Sequence, residues 1–399
     1  MGNKKILFVS GSLGLGHVVR DLAIAEEIRR LDSEIEFHWL AADPSSMMVE
    51  EAGETLLPEA AFYSNDNSVA EGAAHGMSLN LISYMFRATR GWRKNVKIFE
   101  QVTGGGDYDL IIGDETYDIA TALNVRPRLK VAPFVMIYDF VGLDAMTRNP
   151  LERLGVYMFN LMWAQDYKKR YHPDDLSLFV GTPEDVPDRS FGAMLPNRRE
   201  YAEARYEFLG YILPFDPDDY RDRLKVREEL GYDDGPLVIC SVGGTSIGRE
   251  MLELSGEAYR LIEEETPGLR MVMVCGPRLS VESLDVPEGV DVRGYVPRLY
   301  EHLAACDLAI VQGGATTTLE LTALRRPFLY FPIERHFEQE RHVAERLERH
   351  RAGVKMMYSE TTPEALAQAV TDQIGIKTDF KPIPTDGARK AARLIHQLL

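Results

Sequence analysis

The stretch Gly11–Asp21 reads GSLGLGHVVRD and follows the apolar run KKILFVS. Gly11, Gly14 and Gly16 stand where a first strand turns into a first helix, so a phosphate, a sugar or a reacting hydroxyl can approach the backbone there. His17 falls in the first helical turn, and Arg20, three residues on, shares its face. An imidazole titrates near neutral pH, so His17 can take the proton of a hydroxyl as that hydroxyl attacks. Such a base wants an orienting carboxylate. LIIGDET puts Asp114 and Glu115 at the C-terminal end of an apolar run, and VMIYDF does the same for Asp139. Asp114 is the expected partner of His17, with Glu115 and Asp139 behind it. The plainer alternatives are a capping histidine and N-cap aspartates, which are common at strand-to-helix junctions.

A second constellation lies in residues 311–353, VQGGATTTLELTALRRPFLYFPIERHFEQERHVAERLERHRAG. A strand ends at Gly313-Gly314, and Ala315, Thr316 and Thr317 open a helix that carries Glu320. Free N–H groups at a helix start suit a diphosphate. A further strand runs to Pro332, followed by a polar loop with His336, Glu338 and Gln339.

The elements that must position these groups are legible as alternation. Strand-like runs occur at ILFVS, EIEFHWLAA, DLIIGD, FVMIYDF, LSLFVG and YEFLGY, separated by helical patterns. The alternation restarts at LVICSVGG and continues through RMVMVCG, VDVRGYV, LAIVQGG, FLYFPI and GVKMMY. The reading is an α/β chain of two doubly wound, Rossmann-like domains facing across a cleft, with ligands at the C-terminal ends of the strands. We place the first domain at 1–212, a linker rich in Pro and Asp at 213–235, the second domain at 236–380, and a terminal helix at 381–399 that crosses back to the first. A length of 399 residues fits two domains. The net charge of −17 argues against nucleic acid as a partner. Cys240, Cys275 and Cys306 lie far apart in apolar runs, with neither disulfide framework nor zinc spacing. With no signal peptide and no stretch of about 18 apolar residues, the expected location is the cytoplasm or its membrane face.

The order of residues 311–353 resembles the donor-binding half of GT-B glycosyltransferases that use UDP-sugars. The similarity is greatest to the branch of the peptidoglycan N-acetylglucosaminyltransferase, and extends to the UDP-glucuronosyl and antibiotic glycosyltransferases. It implies that Gly313, Gly314, Ala315, Thr316 and Thr317 meet the diphosphate and that Glu320 accepts from the ribose hydroxyls. Gln339 matches the position that holds the sugar hydroxyls, with Glu338 and His336 beside it. Tyr295 and Val296 match the loop that reads the uracil edge. SVGGTS matches the other phosphate loop through Gly243, Gly244 and Thr245. Gln312 stands where many relatives carry a histidine, and can still donate to a phosphate.

The N-terminal loop with Gly14 and Gly16 would face sugar and acceptor, with His17 as general base. Asp216-Pro217-Asp218 is a DxD, but it lies in the linker rather than after a strand, so metal independence is expected. Arg249 is the candidate cation for the leaving diphosphate, with Arg278 in reserve. The implied reaction is a one-step, inverting transfer to a hydroxyl of a small-molecule or lipid-linked acceptor, with the UDP-sugar as co-substrate and no cofactor. Residues 75–102 mix Leu81, Ile82, Met85, Phe86, Trp92 and Phe99 with Arg87, Arg90, Arg93, Lys94 and Lys97. They offer either a contact with anionic membrane or a helix with a solvated basic face. GVYMFNLMWAQDYKKRY (155–171) is core or acceptor-pocket wall on the same reasoning. The alternatives are a UDP-sugar hydrolase, because GLGLGHVVRDLAIA also resembles the hydrolase of the pseudaminic-acid pathway, and a non-catalytic nucleotide-sugar binder.

Overall fold

The computed structural model describes residues 3–11, 14–64, 66–79, 81–165 and 172–399. The strands are β1 Lys5–Val9, β2 Glu36–Leu40, β3 Thr55–Leu56, β4 Ala74–His75, β5 Ser78–Leu79, β6 Leu110–Asp114, β7 Phe134–Tyr138, β8 Leu176–Phe179 and β9 Glu207–Phe208. They continue with β10 Leu237–Ser241, β11 Arg270–Val274, β12 Asp291–Arg293, β13 Leu308–Gln312, β14 Phe328–Phe331 and β15 Val354–Lys355. Two compact units hold them: Met1–Gly72 with Leu81–Pro214 and Pro384–Leu399, and Ala73–Asn80 with Phe215–Ile383.

The first unit carries a parallel sheet of order β3-β2-β1-β6-β7-β8-β9. Its strands are apolar on both faces because helices cover both. On one face Phe8 and Trp39, stacked 4.5 Å apart, join Val18, Ile24 and Ile28 of the helix Gly16–Leu31 and Ala391 and Ile395 of the helix Gly387–His396. On the other, Leu7, Val9 and Phe134 meet Val96, Ile98 and Phe99 of the helix Leu81–Gly105. Burying each large apolar side chain contributes roughly 1.5–3 kcal/mol. The terminal helix is stitched to the first unit by Tyr211 N donating to Pro384 O at 2.8 Å and Gly387 N to Tyr211 O at 3.1 Å. The second unit carries the order β12-β11-β10-β13-β14-β15, again parallel and apolar on both faces.

Two boundaries differ from the sequence reading. The presumed linker contains the helix Arg223–Leu230, capped by Asp222 and fixed to the second unit by Arg227, whose Nε donates to Ala305 O at 2.8 Å. Residues 73–80, read as part of the first domain, fold with the second unit.

Residues 75–102 divide accordingly into that insertion and most of a helix. Phe99 is core, Trp92 is half-buried, and Arg93, Lys94 and Lys97 are exposed. This is a helix packed on a sheet with a solvated basic face. The side chains of Leu81, Ile82, Met85, Phe86, Arg87 and Arg90 lie outside the described residues, as do residues 166–171 of the aromatic run. In the described part of that run Val156, Asn160 and Ala164 are buried, whereas Met158 and Met162 are half exposed or more, so it is only partly core.

Candidate active site

In the first sheet the strand order reverses between β1 and β6, which puts the loops after these strands at the switch point where doubly wound folds bind ligands. Both loops carry the residues singled out in the sequence. His17 stands in the first turn of the helix Gly16–Leu31, Asp114 ends β6, and Glu115 follows it. A Cβ on Gly11 would lie 3.0 Å from the His17 ring, so glycine there lets the imidazole lie close over the strand end.

Five side chains, His17, Arg20, Asp114, Glu115 and Asp139, form one cluster. His17 Nδ1 is 3.0 Å from Asp114 Oδ2. Arg20 Nε donates to Asp114 Oδ2 at 2.8 Å, its Nη2 donates to Asp114 Oδ1, and its Nη1 donates to Asp139 Oδ2 at 2.7 Å. His17 Nε2 lies 3.9 Å from Glu115 Oε2. Tyr117 Oη donates to Glu115 Oε1 at 3.0 Å. Sequence reasoning placed Arg20 on the His17 face but missed its depth: it is 7% exposed and clamps two carboxylates.

Burial sets the protonation pattern. Burial is the largest influence and would raise Asp114 and Asp139, but Arg20, together with His17 and, for Asp139, the Glu115 hydrogen bond, outweighs it and holds both below the usual carboxylate range. Burial, reinforced by the Asp139 charge, pushes Glu115 well above its ordinary value. A protonated Glu115 would donate to Asp139, whose buried Oδ1 has no other partner among the described residues. Glu115 also has a φ of 50°, a left-handed conformation that costs a non-glycine residue about 1–3 kcal/mol and marks a site held by its surroundings.

His17 Nδ1 also lies 2.8 Å from Arg20 Nη2. A ring nitrogen has one in-plane site, so Nδ1 either donates to Asp114 or accepts from Arg20. Arg20 Nη2 has a second N–H besides the one it gives to Asp114 Oδ1, so both arrangements can be drawn, but a lone pair facing the ionised Asp114 would be repelled. The tautomer with hydrogen on Nδ1 is favoured, which leaves the Nε2 lone pair open on the Glu115 side. His17, Glu115 and Asp139 could together offer three ligand atoms within 4.8 Å of one another. Asp139 already holds the Arg20 guanidinium, however, so a metal ion entering there would face a fixed positive charge.

In the second unit the strand order reverses between β10 and β13, and the two glycine loops follow these strands. The helix Ala315–Leu324 starts on Gly314, with Thr316 and Thr317 half-buried in its first turn. A Cβ on Gly313 would lie 2.9 Å from Pro332 Cα, whereas one on Gly314 or Gly243 would meet nothing within 4 Å. Thr245 is buried and its Oγ1 has no hydrogen-bond partner among the described residues. Glu320 is buried, and burial pushes its carboxyl up to about 8. Tyr295 and Val296 are half-buried.

Four side chains expected at the ligands also hold internal hydrogen bonds. Gln312 Nε2 donates to Ile247 O at 3.0 Å, so it braces the loop after β10. Arg249 donates to Ser283 O at 2.7 Å and to Ser283 Oγ at 3.0 Å, which ties down the candidate cation. Gln339 Oε1 accepts from Ile333 N at 2.9 Å, and His336 Nδ1 accepts from Gln339 N at 3.4 Å. Glu338 opens the π-helical turn Glu338–Val343 next to them. The DxD aspartate Asp216 caps its own turn, accepting from Asp218 N at 3.0 Å. Among the described residues no helix is long and apolar enough to cross a membrane.

The chain is similar to known proteins along most of its length. Residues 238–398 match the glycosyltransferase family 28 C-terminal domain. An uncharacterized glycosyltransferase of Methanopyrus kandleri is 29% identical over 66% of this chain and 71% of its own length. The UDP-N-acetylglucosamine--N-acetylmuramyl-(pentapeptide) pyrophosphoryl-undecaprenol N-acetylglucosamine transferase of Geobacter sulfurreducens is 23% identical over 98% of this chain and 95% of its own. Among solved structures, the glycotransferase of kitacinnamycin aligns over 100% of both chains with a TM-score of 0.62 at 16% identity. The calicheamicin glycosyltransferase CalG4 aligns over 100% of this chain and 94% of its own with a TM-score of 0.57 at 17% identity.

Proposed function

We propose that this chain, a glycosyltransferase with the GT-B fold, moves a sugar from a UDP-sugar to a hydroxyl acceptor with inversion, using His17 as general base. The observation that carries the reading is the His17–Asp114 pair at 3.0 Å, locked by Arg20 at the switch point of the first sheet. In the step, the acceptor hydroxyl gives its proton to His17 Nε2 while its oxygen bonds to the anomeric carbon. The bond from that carbon to the β-phosphate oxygen breaks, and its electron pair leaves with UDP. Asp114 stabilises the imidazolium. With Glu115 neutral, Arg20 offsets one of the two ionised aspartates, so the cluster keeps one excess negative charge to receive the proton. The 3.9 Å between His17 Nε2 and Glu115 Oε2 leaves room for a hydroxyl oxygen in hydrogen-bond reach of both.

Donor binding falls to the second unit. The backbone at Gly314 and Gly243 and the orphaned Thr245 hydroxyl support the diphosphate assignment, and the buried Glu320 supports the ribose one. Leaving-group charge is met by the N-terminus of the helix Ala315–Leu324 rather than by a metal ion, a reading that the Arg20 charge beside Asp139 supports. The test is UDP release by wild type and His17→Ala, described at the close of the Discussion.

A further inference from the structure

Residues 73–80 sit, in sequence, between two helices of the first unit, yet they fold with the second. They form a hairpin in which Ala74 faces Leu79 and His75 faces Ser78. The turn consists of Gly76, at a φ of 55°, and Met77. Methionine at a two-residue turn is ordinarily in water, but Met77 is 2% exposed. It joins the core cluster that contains Val242, Met251, Leu279 and Phe331.

The hairpin holds one residue of the second unit by both of its backbone groups. Glu334 N donates to Met77 O at 2.6 Å, and Leu79 N donates to Glu334 O at 3.0 Å. Glu334 lies in the loop that leads from β14 to His336, Glu338 and Gln339. The hairpin also faces the start of the helix Arg249–Ile262, since a Cβ on Gly76 would lie 3.4 Å from Glu250 Oε1. Among the described residues, none of its hydrogen bonds reaches the helix Ala315–Leu324.

We propose that this hairpin is a positioning element for the sugar half of the donor. By fixing Glu334 it sets where His336, Glu338 and Gln339 stand, while the groups assigned to diphosphate and ribose receive none of its hydrogen bonds among the described residues. The inference rests on the donor reading above. Met77 is the plug that keeps the hairpin seated, and the Leu79 N–H is the bond that transmits its position to the loop.

The test measures the dissociation constants of UDP, UDP-N-acetylglucosamine and UDP-glucose on the full-length chain. It compares wild type with Leu79→Pro, which deletes the N–H, Met77→Ala, which withdraws the plug, and Met77→Leu, which keeps one. The expected result for Leu79→Pro and Met77→Ala is an unchanged UDP affinity and a shift of about tenfold in the ratio of UDP-sugar to UDP affinity. Met77→Leu should keep the wild-type ratio. A merely structural role would lower thermal stability and move all three affinities together, or none, and either result overturns the proposal. Leu79→Pro and Met77→Ala report independently, so misfolding of one leaves the other decisive. If wild type binds no UDP, the donor reading itself fails. If wild type binds UDP and the ratio stays fixed in the variants, only the hairpin's role fails.

Discussion

Arg20→Met removes the guanidinium that clamps Asp114 and Asp139 in the buried cluster. Arg20 is 7% exposed and Asp114 fully buried, so neither carboxylate can recover its hydration when the guanidinium goes. Removing one partner of such a buried pair costs about 3–5 kcal/mol. For a unit of this size that is a fall of roughly 6–20 °C in Tm. The pH dependence carries the sharper signature. In wild type both aspartates titrate below their ordinary value, so their stabilising effect is present above the usual carboxylate range and lost only as pH falls through their depressed values. In the variant burial is opposed only by His17 and the Glu115 hydrogen bond, and it raises them. Ionised at neutral pH they then destabilise the fold, and protonation relieves this. The stability deficit of Arg20→Met should therefore be largest at neutral pH and narrow as pH falls toward about 5. Calorimetric unfolding of both proteins at several pH values reads it. A deficit under about 1 kcal/mol at neutral pH, or one that grows on acidification, would refute the assignment of Arg20 as the charge that permits two buried carboxylates.

Glu320 is held up to about 8 by burial, so it is neutral in the free protein at pH 7. If its carboxylate accepts from the ribose hydroxyls, UDP affinity should climb with pH by up to about tenfold per unit and level off above about 8, and Glu320→Gln should flatten the profile; a wild-type affinity independent of pH contradicts the role. Gly313→Ala puts a Cβ 2.9 Å from Pro332 Cα, a backbone atom that cannot swing aside. It should cost about 1–3 kcal/mol in thermal unfolding, and an unchanged Tm would show that the two loops do not approach as described.

The strands, both glycine loops and the His17–Asp114 pairing were legible because each depends on local signals: apolar runs, glycine at a strand end, and a titratable residue one turn into a helix. Parallel strands make the rest follow, since the ends of β1 and β6 are neighbours at the switch point. The insertion of residues 73–80 was not legible. Its decisive bonds join Met77 and Leu79 to Glu334, far away in sequence, and a two-residue strand has no period to read. The internal bonds of Gln312, Arg249 and Gln339 were not legible for a related reason. These residue types suit a phosphate or a sugar, but which internal carbonyl or amide reaches them first is decided by packing. Glu115 was named only as a reserve to Asp114. Its strained backbone and its raised protonation beside the ionised Asp139 appear only once both strand ends are buried together.

The central claim is that His17 removes a proton during transfer from a UDP-sugar. The most direct measurement incubates wild type and His17→Ala with a panel of UDP-sugars in EDTA, with and without candidate hydroxyl acceptors, and follows UDP release alongside UDP binding. The account predicts saturable UDP binding by both proteins. It also predicts release by wild type from one donor class that EDTA does not suppress, and a loss of about 10²–10⁴-fold in that release for the variant. Release without any acceptor would make water the nucleophile and the chain a hydrolase with the same base. Full turnover by His17→Ala, or no UDP binding by wild type, would contradict the account.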